Sequence, residues 1–148
     1  MTNNSPRIVQ IVQPGPMTLV QDRGRFGFQK LGVSVSGAVD IDSFDLGNLL
    51  VGNDPDAACL EVLLGGLEIV FLGDSVIAVT GTESDVTIDG VPISLGVSYF
   101  VHSDARLKLG IATDGLRTYI AVAGGIDIPQ MLLSLNQPLV LRPYHRPQ

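Results

Sequence analysis

Cys59 to Thr80 reads CLEVLLGGLEIVFLGDSVIAVT, and this stretch decides the fold class. Glycines part three short runs rich in Val, Ile, Leu and Phe: CLEVLL (59–64), LEIVFL (67–72) and SVIAVT (75–80). Short runs of this kind bounded by turn residues read as strands, because β-branched and aromatic side chains suit a pleated, half-buried surface. Gly65-Gly66 offers the positive φ that a two-residue hairpin needs, so the first two runs are expected to pair. Outward from this stretch the pattern repeats in RIVQIV (7–12), MTLV (17–20), DVTI (85–88), SYFVH (98–102), ARLKLGI (105–111) and RTYIAVA (117–123). Asp89-Gly90 gives a second hairpin signal. About eight to ten short strands predict a mainly β protein, a barrel or a sandwich.

One segment departs from this rule. DSFDLGNLLVGN (42–53) reads as a short helix, with Asp42 or Asp40 as its cap, Leu46, Leu49 and Leu50 as its apolar stripe, and Gly52 as its stop. Asp40, Asp42 and Asp45 stand at or near its N-terminus, where backbone amides favour negative charge. Capping is therefore the plain reading of each.

The totals narrow the possible partners. The chain has 148 residues, 45% of them hydrophobic and 16% charged, and 17 are glycine. Charge is below the usual ~25% and glycine above the usual ~7%, which fits a compact, turn-rich domain with room for a core. With a net charge of -6 and nine Lys plus Arg in no basic run, a nucleic-acid partner is not expected. The polar start MTNNSPR has no apolar segment behind it, and the oiliest stretch, 57–72, is broken by Glu61, Gly65, Gly66 and Glu68. No membrane association and a cytoplasmic location are expected. Cys59, the one cysteine, reads as a small core residue, a nucleophile being the lesser alternative.

The polar residues of interest gather in VQDRGRFGFQKLGVSVSGAVD, Val20 to Asp40. Glycines let a loop turn sharply or approach a ligand closely, and among them stand Asp22, Arg23, Arg25, Ser36 and Asp40. Arg25 offers a charged fork for a carboxylate or phosphate, while Asp22 or Asp40 could take a proton or hold an N–H. The alternative is an internal Asp22 to Arg25 brace across the loop. Glu61 sits in a strand apolar on both faces, so it must find a donor, such as an arginine or an amide of the glycine loop; a strand-end Glu in water is the other reading.

Other motifs are missing. Neither Lys30 nor Lys108 completes a phosphate-cradling P-loop, and GVSVSG (32–37) lacks the second glycine of a nucleophile elbow. His102 and His145 have no partners at ligand spacing, so no metal site is expected, and His102 reads as a strand-end residue.

Three of these segments, MTLVQDRGRFGFQKLGVSVSGAVDIDSFDLGNLLVGND (17–54), ACLEVLLGG (58–66) and RTYIAVAGGID (117–127), closely resemble the N-terminal half of the biotin-dependent carboxyltransferase family. That family includes the C-type component of 5-oxoprolinase, also called allophanate hydrolase subunit 2, and the carboxyltransferase part of urea carboxylase. The resemblance implies a cyclophilin-like β-barrel with one short helix, about half of the full family architecture. It also implies a component acting with the A and B subunits of 5-oxoprolinase in ATP-dependent cleavage of 5-oxo-L-proline to L-glutamate, ATP being bound by the assembled complex. The alternatives are carboxyl transfer from carboxybiotin to a urea-like amide, or a regulatory module that antagonises a kinase inhibitor. With no biotin-carboxylase or biotinyl segment in the chain, the first is favoured over the second. Carried onto matching positions, the resemblance makes Asp22, Arg25 and Asp40 the catalytic candidates. Gln21, Ser36, Gly37, Asn48 and Glu61 become the substrate-binding candidates.

Residues 1–130 are expected to form the family domain. From residue 131 the resemblance stops: no glycine follows Gly125, yet four of the nine prolines do. Residues 131–148 are therefore expected to be a loosely held tail outside the family, with Arg142, His145 and Arg146 as solvated ends. A chain shortened in this way would be inactive alone and open to self-association through an uncovered barrel edge.

Overall fold

The computed structural model describes residues 7–23, 37–127 and 131–143. Among these, twelve strands and one helix follow in order: β1 (Ile8–Gln13), β2 (Met17–Gln21), α1 (Ile41–Leu50), β3 (Cys59–Leu63), β4 (Glu68–Leu72), β5 (Ser75–Gly81), β6 (Val86–Ile88), β7 (Val91–Pro92), β8 (Ser98–Val101), β9 (Arg106–Leu109), β10 (Arg117–Val122), β11 (Met131–Leu132) and β12 (Pro138–Val140). They build two six-stranded antiparallel sheets, ordered β12-β1-β4-β9-β6-β7 and β11-β2-β3-β10-β5-β8. The mainly β fold with one short helix stands as expected. Among the described residues, no helix is long and apolar enough to cross a membrane.

One apolar cluster joins Val9, Ile11, Ile69, Phe71 and Leu107 of the first sheet to Val20, Leu60, Val62, Ile77 and Ile120 of the second. A second cluster lies on the other face of the second sheet, where Phe44 and Val51 pack with Cys59, Ala78, Tyr119 and Ala121. Alternate residues of β10 thus serve two cores. A strand buried on both faces loses its polar alternation, which is why CLEVL and RTYIAV read as continuous runs.

The helix turns to the sheet a side that includes Leu50 but not the other two leucines of the expected stripe. Phe44, Gly47 and Asn48 are buried, whereas Leu46 and Leu49 are 43% and 75% exposed. The reason is steric. A Cβ on Gly47 would lie 3.2 Å from the Ala121 Cβ, so only the side carrying Gly47 can settle this close to β10. The expected stop holds: Gly52 follows the C-cap Val51 with φ of 75°.

Of the two expected hairpins, one forms. Asp89 and Gly90, with φ of 51° and 80°, join β6 to β7 with Ile88 opposite Val91. Gly65-Gly66 instead carries the chain from β3 in the second sheet to β4 in the first. Both glycines do have positive φ, but Gly65 is needed for a close approach, since a Cβ there would lie 2.0 Å from the Gly110 carbonyl oxygen.

The loosely held tail is also corrected, for residues 131–143. β11 adds to β2 and β12 to β1, with Val9 opposite Leu139 and Gln10 opposite Pro138. Leu133, Leu139 and Leu141 are buried. Pro138 is tolerated because β12 is an edge strand, where a missing N–H need not break a ladder. Arg7 fastens this segment by donating to the Arg142 carbonyl at 2.6 Å, and Arg142 pairs with Asp127 at 3.3 Å in an exposed position. His145 and Arg146 lie outside the described residues.

Candidate functional site

β2 delivers Gln21, Asp22 and Arg23 to the same end of the second sheet at which Gly37 to Asp40 enter α1. The two segments are joined there, as the Ala38 N–H donates to the Asp22 carbonyl at 3.0 Å. The next two amides are also held. Val39 N–H donates to Glu61 Oε2 at 3.0 Å, and Asp40 N–H donates to the Tyr119 hydroxyl oxygen at 2.9 Å. Three successive amides are therefore bound, by a carbonyl, a carboxylate and a phenol.

The carboxylate and the phenol are themselves linked. Glu61 on β3 and Tyr119 on β10 are direct cross-strand partners on the helix side of the sheet, and the Tyr119 O–H donates to Glu61 Oε2 at 2.5 Å. Both are buried, Glu61 at 4% exposure. Arg117, two residues along the same strand, brings its Nε to 3.8 Å from Glu61 Oε1. Burial, then the hydrogen bond to Glu61, pushes the Tyr119 phenol well above its ordinary pKa, so it remains a donor throughout the physiological range. Of the donors expected for Glu61 from the glycine loop, an amide at its end is present, whereas the arginine beside Glu61 comes from β10.

Asp40 is the N-cap of α1. Its Oδ1 accepts from Ser43 N–H at 3.2 Å and its Oδ2 from the Ser43 hydroxyl at 2.6 Å. Thr80 on β5 ties this first turn to the sheet by donating to the Ser43 carbonyl at 2.7 Å. Asp40 nevertheless faces solvent, and each of its oxygens keeps a lone pair for an N–H from outside. A capping carboxylate and a solvent-facing one are here the same group.

Other candidates fall into place around it. Gln21 and Asp22 lie beside the joined segments, Gln21 buried opposite Cys59 and Asp22 half-buried. Gly37 immediately precedes the bound amides. Asn48 belongs to the frame: its Nδ2 donates to the Ala57 carbonyl at 2.9 Å, while its Oδ1 accepts from Asn53 at 3.1 Å and from the Cys59 thiol at 3.4 Å. With that side chain 1% exposed and engaged at both ends, the expected substrate contact from Asn48 is not what its geometry provides. Glu61 is likewise committed to internal donors. Arg25 and Ser36 lie outside the described residues, and so does the test of an Asp22 to Arg25 brace.

Two further participants are not among the expected site residues. Arg23 forms an ion pair with Asp45 on α1, and the two border a groove of about 290 Å³ with Asn48, Leu49, Asn53 and Pro55. Tyr119 is the other. A Tyr inside an otherwise aliphatic buried strand was the available signal, since its hydroxyl must find a partner. Cys59 is inert, its thiol pushed up to about 12 by burial and, second, by the nearby Asp45 charge. No group of three His, Cys, Asp or Glu among the described residues could hold a metal ion.

Comparison with known proteins gives a consistent picture. The family model described as carboxyltransferase domain, subdomain A and B, matches residues 31–139. The chain is 39% identical over 132 residues to the C component of 5-oxoprolinase from Escherichia coli, covering 89% of this chain and 43% of that protein. It is 41% identical over 132 residues to urea amidolyase of Saccharomyces cerevisiae, covering 88% of this chain but 7% of that much longer protein. The crystal structure of Kluyveromyces lactis urea carboxylase superposes with a TM-score of 0.88 at 31% identity, over 95% of this chain and 14% of the other. The chain thus spans less than half the length of these relatives.

Proposed function

The chain belongs to the carboxyltransferase domain family, and we propose that it is a 5-oxoprolinase component of the C type, working in a cytoplasmic complex with the A and B subunits of that enzyme. In this reading the complex converts 5-oxo-L-proline to L-glutamate at the expense of ATP, and this chain alone is inactive. The observation that carries the proposal is the solvent-facing Asp40 carboxylate, held by Ser43 from one side while its own amide is bound by Tyr119 from below. A carboxylate fixed in this way can accept the lactam N–H of 5-oxoproline and hold the ring in one orientation. Asp22 stands at the neighbouring segment as a second acceptor, Arg25 would stabilise negative charge developing on the carbonyl oxygen, and Ser36, Gly37 and Gln21 would line the substrate.

In this reading ATP is bound by the assembled complex, and the described residues here do not favour it. Arg23 and Arg117, the guanidinium groups at the described part of the site, are each paired with a carboxylate, and Asp40, Asp42 and Asp45 give the helix N-terminus a negative surround. That is a poor cradle for a triphosphate, and no step at these residues passes through one.

A second reading, carboxyl transfer from carboxybiotin to a urea-like nitrogen, is favoured by the 41% identity to urea amidolyase. The same carboxylate would hold the accepting N–H. A chimera separates the two readings: residues 7–143 replace their counterparts in the E. coli relative, and glutamate formation from 5-oxoproline and ATP is measured with the A and B subunits. Glutamate formation by the chimera, with none from the short chain, is the expected result. A chimera that leaves 5-oxoproline untouched yet carboxylates urea from carboxybiotin would establish the second reading instead.

A further inference from the structure

The polar pair buried beneath the candidate site joins a carboxylate to a phenol, and Glu61 is the one acidic side chain among the buried described residues. The sheet face under α1 also carries Thr80, which donates to the Ser43 carbonyl, and otherwise the small side chains of Cys59, Ala78, Ala121 and Ala123, which pack against Phe44 and Val51. Burying a carboxylate and a phenol there is unfavourable unless both are hydrogen-bonded, and packing alone would be served as well by a phenylalanine. The Tyr119 ring already packs edge-on to Phe44, with centroids 6.3 Å apart and planes at 84°. What the hydroxyl adds is direction: it accepts from Asp40 N–H and donates to the same Glu61 oxygen that receives Val39 N–H. The two amides and the two side chains close a ring of hydrogen bonds, so neither the peptide of Val39 nor that of Asp40 can rotate without breaking one.

We propose that Tyr119 is a positioning residue of this site, acting through the Asp40 amide to fix the direction in which the Asp40 carboxylate leaves the backbone. Glu61 is then the anchor of Tyr119, not a substrate contact, and Arg117 holds the second oxygen of that anchor. This assignment rests on the reading of Asp40 as substrate-facing and extends it to a residue 79 positions away. The phenol suits the role because it stays protonated and so cannot release Glu61 at any physiological pH.

The experiment compares the full chain with Tyr119→Phe and Glu61→Gln by residue-resolved amide hydrogen exchange. In Tyr119→Phe the ring and its packing remain, and exchange at Asp40 is expected to rise at least tenfold, with a smaller rise at Val39. Amides of β1 and β4 in the distant sheet should exchange as in wild type. Glu61→Gln keeps an acceptor oxygen and should fall between the two. Unchanged exchange at 39 and 40, or equal acceleration throughout the chain, would overturn the assignment. In the chimeric complex, Tyr119→Phe should lower kcat about tenfold with KM within twofold, and a normal kcat would also sink it. The two readings fail separately: exchange is measured without turnover, so an inactive wild-type chimera would count against the 5-oxoprolinase function while leaving the exchange comparison to decide on Tyr119.

Discussion

Gly47 of α1 stands over Ala121 of β10 with so little room that a Cβ on the glycine would approach the alanine Cβ to 3.2 Å and Thr80 Oγ1 to 3.4 Å. In an isolated helix, Gly to Ala gains about 1 kcal/mol. Here the opposing methyl belongs to the fully buried Ala121 and cannot move aside alone, and overpacking of this kind costs about 1–3 kcal/mol. Gly47→Ala is therefore expected to lower stability by about 1 kcal/mol net, and Gly47→Leu to detach the helix from the sheet. Urea denaturation checks the first; a Gly47→Ala protein more stable than wild type would show that the contact yields.

The two duties of Asp40 can be separated. Removing the cap in Asp40→Ala should cost about 1 kcal/mol in denaturation, whereas Asp40→Asn, an equally good cap, should stay within a few tenths of wild type. If the carboxylate also holds substrate, the Asn variant of the chimeric enzyme should lose at least tenfold in turnover despite its unchanged stability. Normal turnover in that variant would reduce Asp40 to a cap.

Cys59 supplies a test at alkaline pH. Its pKa is raised from 9.0 to about 12 in the folded chain, so below pH 9 the thiol is neutral folded or unfolded and its stabilising contribution is fully present. Between pH 9 and about 12 the unfolded chain ionises and the folded one does not, and stability falls by up to about 1.4 kcal/mol per pH unit. Tyr119 adds to the same decline, being raised by burial as well. Cys59→Ala should flatten the slope of unfolding free energy against pH above 9 without abolishing it, and native Cys59 should resist alkylation at pH 8 until denaturant is added.

At Gly65, a Cβ would fall 2.0 Å from a backbone carbonyl oxygen, and the residue has φ of 78°. Neither problem can be relieved by a side-chain rotation. Gly65→Ala should cost about 3 kcal/mol or more, seen as a large drop in the denaturation midpoint. Gly90→Ala, which has open space around it and only the positive φ to bear, should cost about 1 kcal/mol.

Most strand positions up to β10 were legible because each depends on a few adjacent residues, whereas β11 and β12 form only on distant partners and were not. SVIAVT and RTYIAVA announce themselves by composition, and the Asp89-Gly90 turn by chemistry that no other pairing satisfies as well. Which sheet a strand joins depends on distant partners, and Gly65-Gly66 looks the same whether the chain folds back or crosses over. The helix misleads for a related reason. Leu46 and Leu49 outweigh one glycine in a periodicity argument, but the shape of Ala78 and Ala121 beneath gives the contact to the side with Gly47 and Leu50. In the site, the loop ends and Asp40 were readable, whereas Tyr119 was not, because its importance exists only opposite Glu61, 58 residues earlier.

The edge pairing of β12 on β1 has a consequence for how the molecule is made. Val9 and Leu139 sit opposite one another, and both are almost fully enclosed. Residues 8–13 leave the ribosome well before their partners in β12, and one side of that strand stays bare until the segment around residue 140 has emerged. β2 waits in the same way for β11. Such distant closure makes folding slow, and it leaves two unpaired ladders on the nascent chain for which a chaperone or a neighbouring chain can compete.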